Sequence, residues 1–171
     1  MWITFVDKGS GRMNIQLLVV GKCKEKYLLA GIEEYEKRLK KDVKFSMTEV
    51  ADERAPERFS EKEAQQVMKK EGERLWQHVK PQSYVIALDR KGKMFSSEEM
   101  ASHIDQLALH GRSHLTFIIG GSLGLSDDVL QQADLRWSFS TLTFPHQLMR
   151  LMVVEQIYRA LQIQKGTPYH K

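Results

Sequence analysis

Apolar residues along the chain alternate between strand-like and helix-like spacings. Residues 15–20 form a nearly unbroken apolar run, which predicts a buried strand. The next apolar residues lie three or four positions apart, which predicts a helix with one buried face: Leu28, Ile32, Tyr35 and Leu39. Residues 43–50 then alternate between apolar and polar side chains, so a second strand is expected after the first helix.

Two serine–glutamate pairs predict where the next two helices begin. Ser60 with Glu63, and Ser96 with Glu99, have the three-residue spacing of a capping box. In this motif each side chain bonds a backbone N–H that the first helical turn would otherwise leave unpaired. The first of the two helices is predicted to run to about residue 76.

Three more strands are predicted in the second half of the chain, at residues 84–88, 115–119 and 135–139. A turn at residues 89–92 follows the first of them, and Ser126 is predicted to cap a short helix. Strand and helix therefore alternate throughout. This order predicts an α/β fold with a mostly parallel sheet flanked by helices, in a single domain.

The final predicted helix starts near Pro145, runs to about residue 163 and is apolar around much of its circumference. Such a helix is buried on more than one side. In a small protein this predicts a contact with a second subunit in addition to a contact with the core.

Length and composition limit the classes of protein that fit. A chain of 171 residues is long enough for one domain with a substantial core. The net charge of +4 and the pI near 9.1 permit binding to nucleic acid without requiring it. The single cysteine, Cys23, excludes an internal disulfide and fits a cytoplasmic location. No apolar run approaches the roughly 20 residues of a spanning helix.

The first residues differ in character from the rest. Residues 1–12 lack the basic start and apolar core of a secretory signal. Their end, Gly-Ser-Gly-Arg, resembles a flexible linker. We predict that residues 1–12 are an extension, upstream or cloning-derived, and that residues 13–171 form the domain.

Three segments that follow predicted strands have the composition of ligand loops. They are Leu88 with the turn after it, the Gly-Gly-Ser-Leu-Gly run at residues 120–124, and the Ser-Thr-Leu-Thr-Phe-Pro run at residues 140–145. In open α/β sheets, ligands bind just beyond the carboxyl ends of the strands. The glycine run lacks both the dinucleotide fingerprint and the P-loop ending. Taken alone, it is equally consistent with a tight strand-to-helix turn.

Few polar side chains are candidates for catalysis, metal binding or contact with RNA. No histidine group suggests a third ligand, so no metal site is expected. His146 lies beside the third ligand segment, either as a functional group or as an ordinary residue at a helix start. Tyr169, His170 and Lys171 suit base stacking and phosphate contact, although their composition alone favours a frayed terminus.

Taken together, these segments resemble the ribosomal RNA large subunit methyltransferase H family within the SPOUT (α/β-knot) superfamily. The resemblance covers residues 13–171. It is carried by Ala87-Leu88-Asp89, residues 117–124, residues 140–146, Arg150, residues 155–160 and Pro168-Tyr169-His170. No single piece is specific, but the combination is.

The resemblance implies a SPOUT fold with a trefoil knot in the C-terminal half, and a homodimer. It implies S-adenosylmethionine (AdoMet) as cofactor, held by these residues: Leu88, Gly120, Phe139, Ser140, Thr141, Leu142, Thr143 and Phe144. The implied substrate is a pseudouridine in a stem-loop of 23S rRNA, methylated at N3 within the assembled 70S ribosome.

On this hypothesis, His146 or His170 accepts the N3 proton and Tyr169 stacks on or orients the base. Arg150 either holds phosphate or locks the dimer, and Lys171 contacts RNA. Three alternatives remain at this point: a non-catalytic RNA- or ribosome-binding protein, a doubly wound nucleotide enzyme, and a knotted methyltransferase acting on tRNA. The first predicts no affinity for AdoMet. The absence of a glycine fingerprint and of an acidic residue about 20 positions later counts against the second, and substrate preference separates the third.

Overall fold

The computed structural model describes residues 12–171, so the predicted extension at residues 1–12 lies outside it apart from Arg12. Within this range, strands and helices alternate without exception. In chain order they are β1 (Asn14–Val20), α1 (Lys26–Leu39), β2 (Lys44–Val50), α2 (Glu61–Trp76), β3 (Tyr84–Met94), α3 (Ser97–Leu109), β4 (His114–Ile119), α4 (Asp127–Gln132), β5 (Leu135–Ser138) and α5 (His146–Lys165). The α/β prediction is confirmed.

The five strands form one sheet in the order β2-β1-β4-β3-β5. Every neighbouring pair is parallel, from β1 with β2 to β3 with β5. All five carboxyl ends therefore lie along the same edge of the sheet.

Helices cover both faces of the sheet, and β1 shows why its sequence is so apolar. Its odd-numbered residues, such as Leu17 and Val19, belong to the larger core, which α1, α3 and α5 cover. Leu18 and Val20 belong to a second core beneath α2 and α4. A central parallel strand is buried on both sides and so shows no polar alternation.

The capping residues predicted for three helices are confirmed. The Ser60–Glu63 and Ser96–Glu99 capping boxes are both formed, and the Ser126 side chain accepts from the Val129 N–H at the start of α4. Among residues 12–171, no helix is long and apolar enough to span a bilayer.

The predicted end of β3 at residue 88 is wrong. Pairing with β5 is interrupted after Leu88 but resumes at Lys93, so the expected turn is an irregularity inside a longer strand. Gly92 makes this possible. A Cβ at Gly92 would lie 2.6 Å from the backbone carbonyl of Arg136, so only glycine permits the two strands to approach this closely.

Helix α5 is buried by its own chain on several sides, because it packs against both α1 and α3 as well as the sheet. Its most deeply buried large side chain is a cation, Arg150, which is fully buried. The Arg150 guanidinium donates to the carbonyls of Val20 (2.7 Å) and Gly21 (2.8 Å), and to the Glu49 carboxylate (2.8 Å). These bonds fasten the start of α5 to the carboxyl ends of β1 and β2.

We expect Arg150→Met to lower the free energy of unfolding by about 3 kcal/mol, because it leaves two buried carbonyls and Glu49 without their donor. Urea denaturation of the two proteins measures this difference. Arg58→Met is the matched control, since Arg58 is exposed in the loop after β2 and forms no ion pair within residues 12–171, so its loss should change stability little. Equal losses in the two variants would contradict the role assigned to Arg150.

Candidate functional site

A cleft with a volume of about 670 Å³ lies at the carboxyl edge of the sheet, beyond β3, β4 and β5. Its walls come from the three segments singled out in the sequence. They are residues 88–91 after the buried part of β3, residues 119–125 after β4, and residues 139–144 after β5, although Thr141 is not in the wall. Side chains from the start of α5, including His146, complete it.

The glycine segment after β4 is folded tightly on itself. The Gly124 N–H donates to the Gly121 carbonyl at 3.0 Å, and Gly124 has a φ of +88°. A Cβ at Gly120 would lie 2.6 Å from the Gly124 carbonyl carbon, so no other residue fits there without moving the loop. The glycines thus bring bare backbone to the wall of the cleft.

Below this loop lies a carboxylate for which the local sequence contains no functional signal. Glu71 on α2 is buried, and its Oε1 is 3.1 Å from where a Cβ of Gly121 would be. Its Oε2 accepts from the Glu53 N–H at 3.0 Å. Burial raises the pKa of Glu71, and the Glu53 N–H opposes this shift. Glu71 therefore holds the loop after β2 against α2, directly beneath the glycine segment.

Two hydroxyl contacts hold the third wall against the first. The Ser138 hydroxyl is 3.0 Å from the Arg90 carbonyl and 3.1 Å from that of Ser140. The Arg90 guanidinium donates to the Thr143 hydroxyl at 2.6 Å. The Ser140 hydroxyl also accepts from the Leu142 N–H, which closes a short turn. Residues 138–144 are therefore shaped by polar contacts to β3.

His146 is the one predicted catalytic residue that lines this cleft. Burial lowers the pKa of its imidazole, and the positive charge of Arg150 lowers it further, while Asp52 acts in the opposite direction. The neutral form is thus favoured near neutral pH. A neutral imidazole in a cleft is able to accept a proton.

The structure places Tyr169 and His170 elsewhere. The Tyr169 hydroxyl donates to Glu155 at 3.0 Å and is 3.2 Å from the Tyr35 hydroxyl. Burial raises the pKa of Tyr169, and its bonds to Tyr35 and Glu155 raise it further. His170 lies between Arg159 (3.1 Å) and Glu98 (2.7 Å). The tail is packed against α5 and is not frayed.

These tail contacts border a second cleft of about 500 Å³, which Tyr35 and Glu155 help to line. Trp137, Phe139 and Phe144 line both clefts and so form a shared aromatic wall. The tail residues and His146 therefore lie on opposite sides of this wall within one chain.

Neither residue predicted to contact RNA is in the cleft. Lys171 is exposed at the end of the chain. The full burial of Arg150 favours a role in fixing the fold over the contact with RNA expected from the sequence. In the described part of the chain, no group of three His, Cys, Asp or Glu side chains could hold a metal ion.

The family model described as "Predicted SPOUT methyltransferase" matches residues 13–170. The chain therefore belongs to the SPOUT methyltransferase family. Several curated relatives of high identity carry the name ribosomal RNA large subunit methyltransferase H. One from Alkaliphilus oremlandii is 57% identical over 159 residues, covering 93% of this chain and 100% of that protein. One from Desulfitobacterium hafniense is 54% identical, covering 93% and 99%.

Solved structures agree on the fold. A probable methylase family protein from Haemophilus influenzae superimposes with a TM-score of 0.51 at 10% identity, covering 92% of this chain and 70% of that chain. A methylase family protein from Neisseria gonorrhoeae gives 0.51 at 11% identity, covering 94% and 86%. At such low identity the likeness concerns the fold alone.

We expect the His146 imidazole to titrate below its ordinary pKa of 6.5, as measured by NMR of its ring protons. Because the unfolded chain then binds the proton more readily, His146 should reduce stability as the pH falls below about 6.5. Asp52→Asn removes a charge that favours the imidazolium and should lower the pKa of His146 further. Asp105→Asn on α3 is the matched control and should leave it unchanged. A higher pKa in the Asp52 variant would show that the assigned electrostatics are wrong.

Proposed function

We propose that this chain uses AdoMet to methylate 23S rRNA, at N3 of a pseudouridine in the large subunit, and acts on the assembled 70S ribosome. The observation that carries this is the cleft formed by the three strand-end segments, in a chain whose 54–57% identical relatives are named ribosomal RNA large subunit methyltransferase H. Such a substrate implies a cytoplasmic location.

The cleft suits AdoMet in size and chemistry. Its volume of about 670 Å³ is in the ordinary range for a cofactor of this size. Apolar side chains offer a surface for the adenine ring: Leu88, Phe139, Leu142 and Phe144. Gly120 and the hydroxyl-bearing residues Ser140 and Thr143 offer backbone and side-chain hydrogen bonds. Of the eight residues proposed to hold AdoMet, Thr141 is the one outside the wall.

When bound, AdoMet would supply an activated methyl group, because its sulfur–methyl bond breaks as the new bond to N3 forms and S-adenosylhomocysteine is the leaving group. The chain's own residues must orient the pseudouridine and remove its N3 proton. We assign His146 as the group that accepts the N3 proton, because it lines the cleft and its neutral form is favoured. Tyr169 and His170 remain candidates for orienting the base.

For the tail to act at the cleft, it must either leave its own α5 or meet the cleft of a second copy. We therefore keep the homodimer in the proposal, supported by the apolar second cleft that borders the tail. Lys171 at the exposed end is available to RNA phosphate. The trefoil knot in the C-terminal half remains part of the same proposal.

The direct test is transfer of a labelled methyl group from AdoMet to rRNA in 70S ribosomes, 50S subunits and naked 23S rRNA, all from cells lacking this protein. We expect label in 70S rRNA at a pseudouridine. Label only in tRNA would favour the related tRNA methyltransferase. No label and no AdoMet binding would favour a non-catalytic ribosome-binding protein.

Gly120→Ala should weaken AdoMet binding by at least tenfold, because a Cβ there displaces the loop that forms one wall of the cleft. Isothermal titration calorimetry measures the affinity. Gly111→Ala is the control for a general loss of stability: Gly111 has a φ of +80°, which alanine tolerates poorly, but its Cβ would meet nothing within 4 Å and it lies outside the cleft. Normal AdoMet affinity in the Gly120 variant would exclude this cleft as the cofactor site.

Deleting residues 169–171 should abolish methyl transfer while leaving AdoMet affinity largely intact, because the tail borders the second cleft and not the first. Tyr169→Phe is the milder variant, since it removes the bonds to Tyr35 and Glu155 but keeps the ring. Full transfer activity in the truncated protein would rule out a catalytic tail.

A further inference from the structure

A cationic and aromatic segment lies beside the candidate cleft, between β1 and α1. We define it as the lysine–tyrosine segment, residues 22–27, whose functional side chains are Lys22, Lys24, Lys26 and Tyr27. We propose that this segment binds the rRNA around the target nucleotide, with the lysines on phosphates and the Tyr27 ring stacked on a base. The inference rests on the proposed function and adds a binding site to it.

The position of the segment follows from the sheet. It continues from the carboxyl end of β1, which is hydrogen-bonded to β4, and β4 leads into the glycine wall of the cleft. The Gln147 side chain donates to the Lys22 carbonyl at 3.3 Å. Gln147 follows His146 directly, so the segment lies next to the start of α5, where His146 lines the cleft.

The backbone under these side chains is well anchored. The Gly21 N–H donates to the Val50 carbonyl at 2.8 Å, and the Cys23 N–H donates to Glu49 at 2.9 Å. Glu49 is itself held by Arg150. A fixed backbone presents its charges without first having to become ordered, which favours binding.

Burial alternates along the first part of the segment. Cys23 is buried, so its neighbours Lys22 and Lys24 point away from the core and are exposed. Lys26, at the start of α1, is exposed as well. None of the three forms an ion pair within residues 12–171. Three lysines against the single acid Glu25 place a local charge of +2 here, half of the +4 of the chain.

The exposed aromatic ring of Tyr27 is a second feature of the segment, separate from its positive charge. It is 69% exposed, the highest value among the large exposed hydrophobic residues of the described chain. An aromatic ring beside lysines is the combination that binds single-stranded RNA, because bases stack on the ring while the cations neutralise phosphates. An acidic protein surface would match the lysines but give no reason for the exposed ring.

The test compares two triple variants of equal charge. Lys22→Ala/Lys24→Ala/Lys26→Ala removes the segment's cations. Lys37→Ala/Lys40→Ala/Lys41→Ala removes three exposed lysines from the other end of α1, about 20 Å away. Unchanged melting temperature and AdoMet affinity in both variants show that the fold and the cofactor site are intact.

We expect the first variant to raise the KM for 70S ribosomes by about tenfold or more, with little change in kcat, and the control to match the wild type. Its affinity for naked 23S rRNA should also depend less steeply on salt, by about two units in the log–log slope. Tyr27→Ala should raise KM roughly tenfold, whereas Tyr27→Phe should retain most of the affinity.

The outcomes separate this inference from the proposed function. If the wild type methylates ribosomes and the two triple variants have equal KM values, the segment does not bind the substrate. If the first variant loses affinity for ribosomes but not for naked rRNA, it contacts a ribosomal protein and the RNA assignment is wrong. If the wild type neither binds nor methylates rRNA, both the proposed function and this inference are wrong.

Discussion

Every strand pair in the sheet is parallel, and the position of the site depends on this constraint. Parallel strands put all their carboxyl ends on one edge, so segments that are far apart in sequence meet there. One cleft forms for this reason between the irregular part of β3, residues 88–91, and the segments at the ends of β4 and β5, residues 119–125 and 139–144. The lysine–tyrosine segment reaches the same edge at the end of β1.

Buried polar groups fix the conformation of the segments at this carboxyl edge of the sheet. Arg150 fastens α5 to the ends of β1 and β2, Glu71 fastens the loop after β2 beneath the glycine segment, and Ser138 joins the third wall to Arg90. Buried charges are costly unless they are paired, so such groups persist where they fix a geometry that apolar packing would leave loose. His146, four residues before Arg150, is positioned by the same arrangement, and the charge of Arg150 helps to keep its imidazole neutral.

The sequence allowed much of the fold to be predicted because its signals are local. Capping boxes, apolar spacing and strand length depend on residues a few positions apart. The residues proposed to hold the cofactor were identified from a family resemblance, and from the rule that ligands bind at strand ends. The features that were predicted wrongly, or not at all, depend on contacts between residues far apart in the sequence. The continuation of β3 requires Gly92 to pack against Arg136, and Arg150 is buried by carbonyls up to 130 residues away. The contacts of the tail with Glu155 and Tyr35 had no local signal either.

We have proposed that the cleft at the carboxyl edge holds AdoMet. A crystal structure of the chain with S-adenosylhomocysteine, the demethylated product, is the most direct test. We expect ligand density between Leu88, Gly120 and residues 139–144. Density in the second cleft beyond the Phe139 and Phe144 wall, or at the amino edge of the sheet, would contradict it.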